Sequence, residues 1–326
     1  MKEHLYDLYQ KTGPAPVIKK LGALKMGMEQ TPVIFKGEKV MAESHGPTKE
    51  IPYQNISVRN ITTGQEYPHF GKDHHFASAF VKDDVLYVFA TTQRDNKPMT
   101  MYVEEGAEWH DPRGGHEVKM FKTTDCINWE EKVIIHAPDR RMWNTSVCKG
   151  EDKYVMAIEV SSEEGFNIPE IGIGFTSFFA VSEDMENWQM LPDKYSYTNT
   201  RYNACPALRY SKGYYYMICL EALPCQRYAP YIYRTKDFEN WEVGFHNPMM
   251  MWGDEDRIPK EGVVFTDEEM DLLRTGLNIN CSDIDLFEYE NKVHIYYSNG
   301  DQMHYSFLCE AVYDGTMDEF LEHFFK

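Results

Sequence analysis

The chain has 326 residues, with 52 acidic against 33 basic and a formal charge of -19, and is long enough to bury a sizeable core in one large β domain or two ordinary ones. No long Lys/Arg block interrupts the acidic balance, which argues against nucleic acid and anionic membrane surfaces as partners, since both need a positive footprint. The seven cysteines contain no CxxC pair and no apolar run reaches 18 residues, so reduced thiols and a cytoplasmic location are expected, with a periplasmic or secreted one if an export signal has been removed.

Taken in chain order, residues 1–29 come first. HLYDLYQ and VIKKLGALK place apolar residues at helical spacing around Gly13-Pro14-Ala15-Pro16, which predicts a short helical N-terminal cap, an arm placed for a homodimer contact. From residue 30 to 326 one unit recurs: an apolar stretch, a polar turn, then an aromatic-rich stretch. Its copies are TPVIFKGEKVMAES (31–44), HFASAFVKDDVLYVFATTQ (75–93), NTSVCKGEDKYVMAIEV (144–160), NACPALRYSKGYYYMICLEA (203–222) and SDIDLFEYENKVHIYYSNG (282–300). Each reads as a β-hairpin.

Copies two to four are followed by FKTTDCINWEEKV (121–133), FAVSEDMENWQML (179–191) and IYRTKDFENWEVG (232–244). Their shared Ser/Thr-x-Asp-x-x-Asn-Trp predicts an outer strand with a tight turn, its Trp packed between neighbouring blades. Residues 253–278 form an insertion in which DEEMDLLRTG reads as a short helix ended by Gly276. Together these elements predict an all-β fold, a five-bladed β-propeller with a short helical N-terminal cap.

In a propeller the start of each inner strand and the end of the next converge on one face of the central channel. Those positions hold Glu43, Asp73, His74, His75, Asn144, Glu159, Asn203, Glu221, Asp283, Asp285 and Asn299, an acidic and amide-rich ring. Glu159 and Glu221 end the apolar strands YVMAI and YYYMICL, where burial raises a carboxyl toward a useful acid. His74 and His75 point to opposite sides of a strand, so at most one faces the channel, while Asp283 and Asp285, two apart, project together. Arg201 and Arg257 suit an anionic sugar, and Trp143 suits stacking on a sugar face.

On these hairpins and Asn-Trp phrases the chain resembles the five-bladed propeller glycosidases, glycoside hydrolase families 32, 43, 62, 68 and 117, from about residue 30 to the C-terminus. The resemblance implies a base Asp, an orienting Asp and an acid Glu at the starts of successive inner strands. Asp73 matches the first, whereas Trp143-Asn144-Thr145-Ser146 and Ala204-Cys205-Pro206 stand where the other two are expected. Either the acid has moved to Glu159 or Glu221, or the ordinary reaction is absent.

The leading expectation is a glycoside hydrolase on oligosaccharides, exo-acting and inverting, with Asp73 as base, Glu159 or Glu221 as acid, and a pocket closed by the N-terminal cap and the 253–278 insertion. His74, His75, Trp143, Asn144, Arg201, Asn203, Asp283, Asp285 and Arg257 would bind the carbohydrate. No cofactor is required, with room for a structural cation in the channel. The alternatives are a non-catalytic carbohydrate-binding propeller and a metal-dependent sugar lyase or C-glycoside-cleaving enzyme. Pairing of Glu159 and Glu221 with backbone or Arg would favour binding over hydrolysis.

Overall fold

The computed structural model describes residues 13–93, 113–161, 166–168, 172–198, 201–225, 227–302 and 304–326. Strand β1 (Lys19–Met26) is followed by a first meander of β2 (Gln30–Phe35), β3 (Glu38–His45) and β4 (Asn55–Asn60). The second comprises β5 (His74–Lys82), β6 (Val85–Thr92), β7 (Glu117–Thr123) and β8 (Glu130–His136). The third runs β9 (Arg141–Lys149), β10 (Tyr154–Ser161), β13 (Thr176–Ser182) and β14 (Gln189–Met190), with the hairpin of β11 (Phe166–Ile168) and β12 (Gly172–Gly174) inserted. The fourth holds β15 (Ala204–Ser211), β16 (Tyr214–Leu223), β17 (Arg227–Thr235) and β18 (Trp241–Val243). In the last, β19 (Asn280–Tyr289), β20 (Lys292–Gly300) and β21 (Ser306–Asp314) are completed by β1.

The leading strands close a ring. β2 packs on β5, β5 on β9, β9 on β15, β15 on β19, and β19 returns to β2. Local chemistry explains the meanders. Lys36-Gly37, Asp83-Asp84, Lys212-Gly213 and Glu290-Asn291 all have positive φ at both turn residues, the conformation that matches the twist of a two-residue hairpin.

The repeated outer-strand phrase is a backbone clamp. Asp125 Oδ1 accepts from the N–H groups of Ile127 and Asn128, while Asn128 Nδ2 donates to Asp125 Oδ2; Asp184 with Asn187 and Asp237 with Asn240 repeat the pattern. The backbone N–H of Asn240 and its neighbours hold Asp237 down to about 2. Each clamp aims its Trp at the preceding meander: Trp129 stacks on Phe70 at 3.7 Å, Trp188 meets Phe89 edge-on, and Trp241 lies over Phe179. The phrases are scaffold, as their repetition implies.

Helix α1 (Asp267–Thr275) lies where DEEMDLLRTG predicts it and ends at Gly276. The N-terminal expectation needs correction. Residues 1–12 lie outside the described residues, but VIKKLGALK is not helical: from Lys19 on it lies in β1, paired antiparallel with β21. The reason is non-local. After Asp314-Gly315 the chain enters helix α2 (Met317–His323) instead of another outer strand, so β21 would present an open edge that β1 covers. Residues 19–26 therefore belong to the final sheet and not to a separate cap.

The tryptophans give a direct test of this scaffold. Trp129→Ala is expected to lose about 3 kcal/mol in urea unfolding, in the range for truncating a packed aromatic; a loss below about 0.5 kcal/mol would place Trp129 outside the packing between meanders.

Candidate active site

Four of the leading strands carry the same irregularity near their start. One extra residue is accommodated between His75 and Ser78 in β5, Met142 and Thr145 in β9, Ala204 and Ala207 in β15, and Ser282 and Asp285 in β19. Such a bulge breaks the two-residue alternation and re-aims the side chain. Phe76, Cys205 and Asp283 sit there at φ 56, 48 and 50, and Glu29, immediately before β2, has φ 60.

A cavity of about 1110 Å³ opens at this end of the ring, between the first two meanders. Its walls include Lys25, Glu29, Gln30, Glu43, His45, Tyr53, Asp73, His75, Gln93 and Arg113. Asp73 is pinned by its backbone, its N–H donating to Gln54 O at 2.8 Å and its carbonyl accepting from Gln93 N at 2.9 Å. His75 Nε2 lies 3.5 Å from Glu29 Oε2. Glu43, 1% exposed, is neutralised by Lys25 Nζ at 2.7 Å and Arg59 Nε at 3.2 Å.

Glu29 also borders a second space of about 30 Å³, room for roughly one water, lined by Asn144, Cys205, Asp283 and Asp285. Glu29, Cys205 and Asp283 each bring a ligand-type atom within 4.8 Å of the other two, a spacing that a cation could bridge. Burial and the neighbouring Glu29 charge push the Asp283 carboxyl up. Its Oδ2 accepts from Ser282 Oγ, while its Oδ1 is buried without a partner among the described residues. Glu159 lies behind this group, its Oε2 accepting from Cys205 N at 2.7 Å and Asn144 Nδ2 at 3.0 Å. Burial pushes Glu159 up to about 8 against the pull of those two donors. Burial likewise raises the Cys205 thiol well above its usual range, as suits an inert thiol.

Of the residues expected from sequence, Glu43, Asp73, His75, Asn144, Asp283 and Asp285 line these two spaces. The others do not. His74 faces the opposite way from His75, edge-on to Phe121, with Nδ1 2.6 Å from Lys72 O. Glu221 is ion-paired with Arg201 and accepts from Tyr233 OH. Asn203 is fully buried, accepting from Ser177 Oγ at 2.8 Å. Arg257 donates to the carbonyls of Arg274 and Gly276, closing the C-terminal end of α1. Trp143 is buried with Nε1 on Ser161 Oγ, under Arg141 and against Phe76, and a Cβ on Gly114 would meet its ring at 2.4 Å, so no face is open to a sugar.

The bulge also separates Asp283 from Asp285, whose Oδ1 pairs with Arg209. The 253–278 insertion contributes nothing to the cavity walls; it runs beside β1 through Ala23 and Pro259.

Glu29 carries no expectation from sequence, because the predicted cap ends there. A signal existed. Glu29, Phe76, Trp143, Cys205 and Asp283 each stand seven residues before the first residue of a hairpin turn, Lys36, Asp83, Gly150, Lys212 and Glu290.

No known family and no curated protein matches this sequence. Solved structures do match its shape. A glycosyl hydrolase from Bacteroides ovatus aligns with 14% identity and TM-score 0.53 over 92% of this chain and 90% of that one. The catalytic domain of the Coprinopsis cinerea GH62 α-L-arabinofuranosidase aligns with 8% identity and TM-score 0.54 over 91% and 97%. An exo-1,5-α-L-arabinanase from a bovine ruminal metagenomic library aligns with 8% identity and TM-score 0.52 over 89% and 93%. At such identities the likeness is one of fold: the chain is a β-propeller of the kind these glycosidases share.

Glu159 makes stability depend on pH. Its folded value of about 8 lies above the ordinary 4.5, so the folded chain keeps a proton that the unfolded chain releases between them. The contribution is complete below about pH 4.5 and is lost as pH rises through about 8. Relative to wild type, Glu159→Gln should therefore gain stability between pH 5 and 8 in parallel urea titrations; a difference independent of pH would show that Glu159 folds ionised.

Proposed function

We propose that the chain is a five-bladed propeller glycoside hydrolase that takes an oligosaccharide end into the 1110 Å³ cavity. The observation that carries this reading is the pair of half-buried carboxylates, Asp73 and Glu29, on the walls of one sugar-sized space at the mouth of the ring.

Glycoside cleavage needs one carboxyl to protonate the departing oxygen and another to activate water or attack carbon. Asp73, its backbone held on both sides, serves as base. Glu29 faces the same cavity and stands within 4.8 Å of Asp283, whose carboxyl burial and the Glu29 charge push up, and it takes the part of the acid. Glu159 supports that cluster from behind through Cys205 N. Glu221, spent on Arg201 and Tyr233, takes no part. Cleavage is exo-acting and inverting; the Lys25–Gln30 segment walls one side of the cavity, in keeping with exo action, and Gln30 Oε1 and His75 Nδ1, buried without a partner among the described residues, offer hydrogen bonds to sugar hydroxyls.

One observation favours a second reading, a carbohydrate-binding propeller without hydrolysis. Both strand-end glutamates are engaged, Glu221 by Arg and Glu159 by backbone N–H and amide.

A panel of chromogenic furanosides and pyranosides, α-L-arabinofuranosides included, separates the two. Hydrolysis is expected for at least one, with kcat reduced at least about 100-fold in Asp73→Asn and in Glu29→Gln and within about threefold of wild type in Glu221→Gln. Activity indifferent to Asp73→Asn and Glu29→Gln would overturn the assignment, and oligosaccharide binding by calorimetry with no turnover would establish the second reading.

A further inference from the structure

On another wall of the large cavity, outside the carboxylate cluster, His45, Glu66 and His69 converge. His45 ends β3 and lines the cavity, while Glu66 and His69 lie in the segment that folds back on β4 through the bridges Arg59 to Glu66 and Ile56 to Phe70. His45 Nε2 is 3.6 Å and His69 Nε2 3.2 Å from Glu66 Oε1, and the three atoms all lie within 4.8 Å of one another.

We infer that these three side chains form a binding site for a divalent transition-metal ion of the zinc class. Bonds of about 2.0–2.1 Å in tetrahedral geometry put ligand atoms about 3.3 Å apart, close to the separations already present. Two imidazoles with one carboxylate is a donor set that favours zinc-class ions over calcium or magnesium.

The surroundings fit the same role. His69 Nδ1 is hydrogen-bonded to Asn55 Oδ1, which turns Nε2 toward Glu66. Arg59 Nη2 holds Glu66 Oε2 at 2.9 Å and leaves Oε1 for the ion. Ser57 Oγ lies 2.8 Å from His45 Nε2 and donates to Glu66 Oε1 at 2.7 Å; an ion takes the place of these two hydrogen bonds, with His45 carrying its ring proton on Nδ1 and the Ser57 hydroxyl turned aside intact. Three protein ligands leave a further coordination position, and since His45 is a cavity wall, an oxygen of a bound ligand can reach it.

The test is metal binding itself, independent of any activity. Chelator-treated protein without an added histidine tag would be titrated with Zn2+ by calorimetry and with Co2+ by visible absorption. About one ion per chain is expected, with cobalt d–d bands, and affinity weakened at least about tenfold in His69→Ala and in His45→Gln and unchanged in Asp283→Asn. The side chains of His69 and His45 are 32% and 26% exposed, so folding of these variants, checked by circular dichroism, should be retained. Absence of Zn2+ binding up to about 1 mM, equal affinity in both histidine variants, or loss in Asp283→Asn alone would each overturn the inference.

Discussion

Met26 is the last residue of β1 in the final meander and Gln30 the first of β2 in the opening one, so Gly27, Met28 and Glu29 carry the chain across the join of the ring. Gly27 adopts φ 139 and donates its N–H to Ser306 O at 3.0 Å, and a Cβ there would meet Gln30 Nε2 at 2.8 Å. This crossing links β2 to β1, the strand that covers the β21 edge. It also sets Glu29, with its positive φ, on the wall shared by both spaces of the site. Closure of the fold and placement of a central carboxylate thus depend on the same few residues.

The protein buries many carboxylates, and their partners sort them. Glu43 meets Lys25 and Arg59, Asp256 meets Lys20 and Tyr297, Glu310 meets Lys260 and His294, and Asp285 meets Arg209. Each of these charges is compensated and ties one strand or loop to another. Glu159 and Asp283 instead have amide, N–H or hydroxyl partners among the described residues, and both are pushed upward by burial. These two acids, Asp283 lining the small space and Glu159 behind it, differ in this from the ion-paired carboxylates that tie the strands together.

Much of the site was half legible. Period-two reasoning separates His75 from His74 correctly, because both precede the bulge of β5. The same reasoning fails at Asp283 and Asp285, where the bulge falls between them and local alternation no longer gives direction. Glu159 and Glu221 look equivalent in sequence, each ending an apolar strand, yet only Glu221 finds a guanidinium, from Arg201 twenty residues earlier. Helical spacing in VIKKLGALK was a true local pattern that lost to an unpaired strand edge nearly three hundred residues away.

The sequence by itself determined the repeating scaffold, since hairpin turns, Asp-Asn clamps and the tryptophans they aim are short-range structures specified by residues within a few positions of one another. Tertiary structure decided which carboxylates share a cavity, which are silenced by cations, and that the N-terminal segment completes the last sheet. Those outcomes depend on bulges that redirect side chains and on contacts between residues far apart in the chain, and neither is carried by the local pattern.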